Sequence, residues 1–142
     1  MPDDFEAQIH AWTEQSRLRM MAVARDAAQE VTEQVLRPRA KGGRMPVDTG
    51  YLRNSAHADI NVMPEGDSFY DSSDAAGERV AESTVSAILR FQAGDKYYLG
   101  FTANYARYME AKYAFIRLAV QNWDRTVSES VRRVRRQYDD AI

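Results

Sequence analysis

Two long stretches of the chain place apolar residues at helical spacing. The first, residues 3–36, contains neither Pro nor Gly, and most of its apolar positions lie three or four residues apart. These positions are Ile9, Trp12, Met20, Val23, Ala27, Val31 and Val35. The pattern predicts one face of a long amphipathic helix. Pro38 ends this helix, because the proline ring removes a backbone donor and disfavours the helical conformation at Arg37.

The second helical stretch begins after Asn104, which we expect to cap it, and continues from Tyr105 without Pro or Gly. Its apolar positions are Phe115, Leu118, Ala119, Trp123, Val127, Val131, Val134 and Tyr138. They keep helical spacing, so the sequence predicts a long C-terminal helix.

The middle of the chain has the alternation of apolar and polar residues that is typical of strands. Residues 84–91 alternate with a period of two, residues 92–95 form a turn-like segment, and residues 97–101 suit a return strand. This pattern predicts a β-hairpin. Residues 51–55 suit a single helical turn, and residues 56–62 suit a further strand.

These elements predict an α+β fold with a long N-terminal helix, a small antiparallel β-sheet with a hairpin and a long C-terminal helix, within a single domain of residues 1–142. Two polar loops, at about residues 37–46 and 64–82, interrupt it, the first basic and the second acidic. We expect both loops to be mobile in the free chain and to become ordered at subunit interfaces. The candidate interface residues are Arg37, Arg39, Lys41 and Arg44 in the first loop and Asp67, Phe69, Tyr70, Asp71 and Asp74 in the second.

The composition removes several classes of function. The chain has 142 residues, no Cys and a formal net charge of −2 at pH 7. Without Cys it has no disulfides and no thiolate metal sites. The acidic N-terminus lacks the apolar run of a secretory signal, and no stretch is long and apolar enough to span a bilayer, which favours the cytoplasm. The whole molecule does not attract nucleic acid, but the arginines of residues 132–136 could contact phosphates or form a solvated or protein-binding helix face.

The tripeptide Asp48-Thr49-Gly50 carries the catalytic carboxylate in aspartic proteases. Such enzymes pair two carboxylates on an almost all-β body, whereas this chain has extensive helical patterning and the bulky Tyr51 after the glycine. We therefore expect a structural joint. Asp48 or Thr49 accepts backbone hydrogen bonds, Gly50 permits a tight turn, and Leu52 enters the core.

No other catalytic or ligand-binding pattern is present in the sequence. His10 and His57 are isolated, with no metal-ligand spacing around them, and Gly42-Gly43 lacks the rest of a phosphate-binding loop. The sequence therefore predicts a protein that is not an enzyme, with no catalytic residues, no metal and no cofactor.

Two segments, in this order, resemble a known family. Residues 46–55, Pro-Val-Asp-Thr-Gly-Tyr-Leu-Arg-Asn-Ser, follow the long N-terminal helix, and residues 105–110, Tyr-Ala-Arg-Tyr-Met-Glu, follow a strand. The pair is similar to the tail-component family of tailed double-stranded DNA phages, the neck or tail-completion proteins of head–tail joining. The resemblance covers residues 5–125. It departs after Glu110, where the Gly- and Pro-containing stretch of the family is shortened here.

The resemblance implies a structural subunit without catalytic activity that assembles into a ring, expected to be a hexamer, around the DNA channel of the phage neck. Its expected partners are copies of itself, the head-completion or adaptor ring, the tail terminator or tail tube, and double-stranded DNA held without sequence specificity in the lumen. The expected location is the virion, after assembly in the host cytoplasm. Two alternatives stay open: a tail terminator ring that caps the tail tube, and a DNA-binding regulator that uses the arginine-rich C-terminal helix.

The resemblance also marks a structural or assembly motif. Its residues are Asp48, Thr49, Gly50, Leu52, Arg53, Tyr105, Tyr108 and Glu110. We expect the two tyrosines to lie in the core. We also expect Arg53 to pair with Glu110, because the two segments of the family occur together.

Overall fold

The computed structural model describes residues 2–47, 51–64, 78–92 and 94–140. Over these residues the chain forms helices and one small sheet, which confirms the predicted α+β class. The elements are α1 (Pro2–Leu36), a 3-10 turn (Arg39–Lys41), α2 (Tyr51–Asn54), β1 (Ala56–Ile60), α3 (Glu78–Arg90), β2 (Tyr97–Phe101), α4 (Ala106–Tyr113), α5 (Phe115–Gln121) and α6 (Trp123–Asp140).

The helix α1 confirms the predicted long N-terminal helix, and the other helices pack along it. Its 35 residues correspond to a rod of about 52 Å. The helix α6 runs back along it in the opposite direction. At one end of this contact Gln34 donates to the Thr126 hydroxyl (3.0 Å), and at the other the Arg19 guanidinium lies over the Tyr138 ring. The body of the protein therefore covers α1 only as far as Arg19, and nearly five turns of helix project beyond it.

The predicted long C-terminal helix is confirmed as α6, but it begins at Trp123 rather than near Tyr105, because the chain bends twice before it. Ala114 adopts a left-handed backbone conformation (φ 56°, ψ 40°) between α4 and α5, and Asn122 (φ −87°, ψ 8°) separates α5 from α6. The predicted cap is also wrong, since Tyr105 rather than Asn104 holds the N-cap position of α4. The bends allow α5 to place Phe115 in the core while α6 turns back along α1.

The predicted β-hairpin is wrong as well. The strands β1 and β2 pair antiparallel, with Ala56 opposite Phe101 and Ile60 opposite Tyr97. The partner of residues 97–101 is therefore the strand that precedes α3, not the segment of residues immediately before the turn.

The segment expected to be a strand, residues 84–91, lies in α3 as far as Arg90. Its pattern was ambiguous, because Thr84, Ala87 and Ile88 also share one helical face, and these three side chains are buried. The helix covers one edge of β1, where the Ala58 N–H donates to the Ser83 hydroxyl (3.3 Å). A helix at this position protects a strand edge that would otherwise be open.

The core lies where the end of α1 meets α2, β1, α5 and the segment after α1. Its buried members are Val35, Leu36, Met45, Leu52, Ala56, Ala103, Phe115 and Ala119. Phe115 is only 1 % exposed and meets Phe101 edge-on, with ring centroids 5.2 Å apart. The expected entry of Leu52 into the core is confirmed.

Candidate assembly surfaces

The two segments that carry the family resemblance lie against each other. Tyr51 of the first segment stacks on Tyr105 of the second, with ring centroids 5.9 Å apart and an interplanar angle of 25°. Beside this stack, Leu52 belongs to the buried cluster against which Tyr105, Ala106 and Met109 of the second segment pack. The contact is therefore made by aromatic and apolar packing, which suits a structural joint.

The expected ion pair between Arg53 and Glu110 is wrong. Both carboxylate oxygens of Glu110 accept backbone N–H bonds at the start of α5, from Ile116 (2.8 Å) and Arg117 (2.9 Å). Arg53 instead donates its Nε–H to the Leu36 carbonyl (3.0 Å), at the end of α1. Each charge thus lies at the helix end where it is favourable, because the carboxylate binds the positive N-terminal end of α5 and the guanidinium binds the negative C-terminal end of α1.

The remaining motif residues have different positions. Tyr108, expected in the core, is 75 % exposed, so that expectation is wrong. Tyr105 is half-buried and packs against the core cluster. Asp48, Thr49 and Gly50 lie outside the described residues, and their expected roles in the joint stay predictions.

The basic loop at 37–46 is closed by its own backbone hydrogen bonds. The N–H of Met45 donates to the Arg37 carbonyl (3.1 Å), the N–H of Arg39 donates to the Met45 carbonyl (3.0 Å), and the N–H of Gly43 donates to the Pro38 carbonyl (3.0 Å). Met45 is fully buried and fixes the loop to the core. The loop therefore has a defined fold, whereas its mobility in the free chain stays a prediction.

The four basic side chains of this loop, Arg37, Arg39, Lys41 and Arg44, are all exposed. The Arg39 guanidinium lies 4.6 Å from the ring centre of Tyr113 at the end of α4. The other three project from the surface and are available to a partner. The candidate residues of the acidic loop, Asp67, Phe69, Tyr70, Asp71 and Asp74, lie outside the described residues, and the end of that predicted loop belongs to α3, which begins at Glu78.

A charged cluster joins α1 to α6. Arg133 donates to both carboxylate oxygens of Asp26, the shortest bond being 2.6 Å from Nη2, and the buried Ser130 hydroxyl donates to the same carboxylate (3.0 Å). The Arg133 hydrogen bonds hold the pKa of Asp26 below its ordinary value against the opposing effect of burial. One of the arginines considered for phosphate contact therefore has a structural partner within the chain.

An apolar groove runs beside the α1–α6 contact. Its floor is the α1 face from Met20 to Val31, one wall is formed by Trp123, Val127 and Val131 with the end of α5, and the other wall includes Phe91 and Tyr97. We call it the α1–α6 groove. Its volume is ≈ 770 Å³, and Arg19 is among the residues that line it. A groove of this size is within the range that binds a ligand or a partner side chain.

The projecting part of α1 carries a second apolar surface. Phe5, Ile9 and Trp12 lie on one helical face, at spacings of four and three residues, and we call them the α1 stripe. Trp12 is 70 % exposed and Phe5 is 65 % exposed. The sequence placed Ile9 and Trp12 on the same apolar face as the buried Ala27, and that face does continue along the helix. What the sequence could not show is that no described element covers its first half.

Sequence reasoning missed both the groove and the uncovered stripe as candidate sites. One signal was available, because the apolar face of α1 extends over more turns than one C-terminal helix of ordinary length can cover. In the part of the chain that the structure describes, no three His, Asp or Glu side chains are placed to hold a metal ion. No helix there combines the length and the apolar character that crossing a membrane requires.

The fold and these surfaces define a mostly helical α+β protein with an apolar groove and an exposed apolar helix face. Comparisons with protein-family models, with curated proteins and with solved structures found no match to the chain.

Proposed function

We propose that the chain is a structural subunit of the neck or tail-completion ring of a tailed double-stranded DNA phage. The observation that carries the proposal is the pair of apolar surfaces, the α1 stripe and the α1–α6 groove. Soluble monomers rarely leave such surfaces open, and paired apolar surfaces of this kind mark protein–protein contacts. A subunit whose purpose is to assemble has a use for both.

The contact between the two resemblance segments supports the same proposal. The stack of Tyr51 on Tyr105 and the burial of Leu52 give the segments a shared structural role, as expected for a motif that fixes the shape of a subunit. The hexameric stoichiometry, the neighbouring adaptor and terminator rings and the DNA-filled lumen come from the resemblance alone.

The test is to locate the subunit in the phage particle that contains it. Cryo-electron microscopy of the neck should show a ring of density between the head and the tail tube that fits α1, α6 and the sheet as one body. A ring of this density at the end of the tail tube would favour the terminator alternative. Its absence from the particle would contradict both virion roles.

The DNA-binding alternative makes a different prediction for the isolated chain. Arg132, Arg135 and Arg136 are exposed on α6. If they bound phosphates, the chain alone would bind double-stranded DNA with an affinity that falls steeply with salt, and replacing all three with Gln would lower the salt dependence. We expect no such binding by the monomer.

A further inference from the structure

The α1 stripe cannot be buried by its own groove. α1 is one uninterrupted helix from Pro2 to Leu36, and residues 3–36 contain no Pro or Gly that would allow it to fold back. The stripe and the groove floor are parts of the same rod, so they keep their separation along it. The stripe can therefore enter only the groove of another molecule.

We propose that the α1 stripe of one copy lies in the α1–α6 groove of a second copy. The two surfaces match in chemistry, and one is convex where the other is concave. The stripe presents two aromatic side chains and one branched aliphatic side chain on a convex helix face. The groove is a concave apolar channel of ≈ 770 Å³ whose walls include Trp123, Val127 and Val131. Large aromatic anchors that enter such pockets usually dominate the affinity of an interface.

The two surfaces are also continuous along α1. From Phe5 through Ile9, Trp12, Met20 and Val23, the apolar side chains follow one helical face, interrupted by the small polar residue at position 16. In the second half of α1 this face packs against α6 and also forms the floor of the groove, where Met20 is still 72 % exposed. A helix from a second copy that packed on the first half of α1 would bury an apolar face of the same kind as the one that α6 packs against in the second half.

Charge favours a second copy as the occupant. Residues 2–16, which include the stripe, carry Asp3, Asp4, Glu6 and Glu14 and no Lys or Arg, although Glu14 is paired with Arg17 at 2.6 Å. The wall helix of the groove, α6, is basic in its second half. Within the described residues, three of its exposed arginines form no salt bridge, namely Arg132, Arg135 and Arg136. An acidic helix tip is therefore attracted to this wall, and the chain itself supplies such a tip.

The geometry is heterologous, because a convex tip on one molecule meets a concave groove on another. Heterologous contacts repeat from copy to copy and close into rings when the rotation between neighbours permits. The closure into a ring rests on the proposed function, whereas the contact between tip and groove does not.

The first test measures association with two complementary variants. Trp12→Glu places a charge on the stripe, and because Trp12 is exposed, this variant should keep the circular dichroism spectrum of the parent. Val127→Glu places a charge in the groove wall. Each change should weaken self-association by roughly 30-fold or more, as expected for the loss of an anchor residue, when measured by sedimentation velocity over a concentration series.

The two variants should then associate with each other. The Trp12→Glu chain keeps an intact groove and the Val127→Glu chain keeps an intact stripe, so an equimolar mixture should form a 1:1 complex that neither variant forms alone. Failure of the mixture to associate, with both variants folded, would overturn the proposal. It would also be overturned if only Trp12→Glu weakened association, because that result indicates pairing of stripe with stripe.

The second test does not depend on Val127→Glu being folded. The chain has no Cys, so single cysteines report specific contacts. Ile9→Cys in the stripe, mixed with Val127→Cys in the groove and oxidised, should give a disulfide-linked dimer. The matched control is Ala7→Cys, which is exposed on the opposite side of α1. Equal cross-linking yields from the Ile9→Cys and Ala7→Cys mixtures would overturn the proposal.

The same measurements separate this inference from the proposed function. If the groove were filled by a segment of its own chain, the parent protein would stay monomeric at every concentration, and the inference would fail whatever the particle shows. If the subunits associate through tip and groove but the neck contains no such density, the phage role fails and the contact stands.

Discussion

Glu110 offers a direct test of how the segment of residues 105–110 stabilises this chain. Its carboxylate accepts two backbone N–H bonds of 2.8 and 2.9 Å at the first turn of α5. A side-chain cap of this kind contributes about 0.5–2 kcal/mol. A negative charge at a helix N-terminus adds about 0.3–1 kcal/mol. Replacing Glu110 with Ala removes both contributions, so the free energy of unfolding should fall by about 2 kcal/mol.

Two further variants divide this effect into its parts. Glu110→Gln keeps one acceptor oxygen but loses the charge, so it should cost about 1 kcal/mol. The control is Glu129→Ala, which removes an exposed carboxylate paired with Arg125 at 3.1 Å on α6. Such an exposed pair contributes only about 0.3–0.5 kcal/mol. Urea unfolding followed by tryptophan fluorescence gives each free energy from its midpoint and slope.

The charge-swap variant decides between the cap and the ion pair that the sequence suggested. In the structure Arg53 and Glu110 bind different helix ends, so the losses from Arg53→Glu and Glu110→Arg should add in the double variant. Recovery of more than about 1 kcal/mol in the double variant would refute the capping role and restore the ion pair.

Three other changes test the fold that presents the surfaces. Gly43→Ala should open the basic loop and lower the free energy of unfolding by at least about 2 kcal/mol, because a Cβ there would overlap the Arg37 backbone. In the control Gly42→Ala the new Cβ meets open space, so the only cost is the strain of a positive φ. Protection of the loop amides in hydrogen exchange reports the difference between the two variants. Asp26→Asn should cost about 1 kcal/mol at pH 7 in urea unfolding, because the Arg133 contact is partly exposed. Since the pKa of Asp26 is lowered in the fold, this contribution is present above the unfolded pKa of about 3.9 and is lost as the pH falls through the lowered value, so the two chains should converge in acid. Phe115→Ala should cost about 3–5 kcal/mol in the same assay, as expected for an aromatic residue at the centre of the core.

The sequence predicted those elements whose signals are local. Pro38 marks the end of α1 within two residues, and the short turn at 51–54 and the strand at 56–60 follow from turn composition and alternation. Residues 84–91 were assigned wrongly because both periods fit them and the choice depended on tertiary contact with β1. The bend at Ala114 could not be predicted either, because it also depends on tertiary contacts. Packing and the Glu110 cap on α5 hold this Ala in the left-handed conformation.

The candidate site was harder to predict than the fold, because it depends on what the rest of the chain leaves uncovered. The spacing of Ile9, Trp12 and Ala27 gave the apolar face of α1 correctly, yet it assigned the same burial to all three. Burial was decided by the length of α6, which ends opposite Arg19. The position of that end depends on the turns at Ala114 and Asn122, and neither turn has a signal in the sequence.

The projecting half of α1 receives little stabilisation from the rest of the chain. An isolated projecting helix gains little from its own propensity, because most helical stability in proteins comes from packing of an amphipathic face. Phe5, Ile9 and Trp12 are 65, 49 and 70 % exposed, so they contribute little to the stability of the fold. Exposed apolar side chains of this kind also favour association. An acidic tip limits unspecific association through repulsion between like tips, and it directs the helix towards a basic surface. Under the proposed contact, the body of each copy folds first, and the stripe becomes buried when it meets the groove of a second copy.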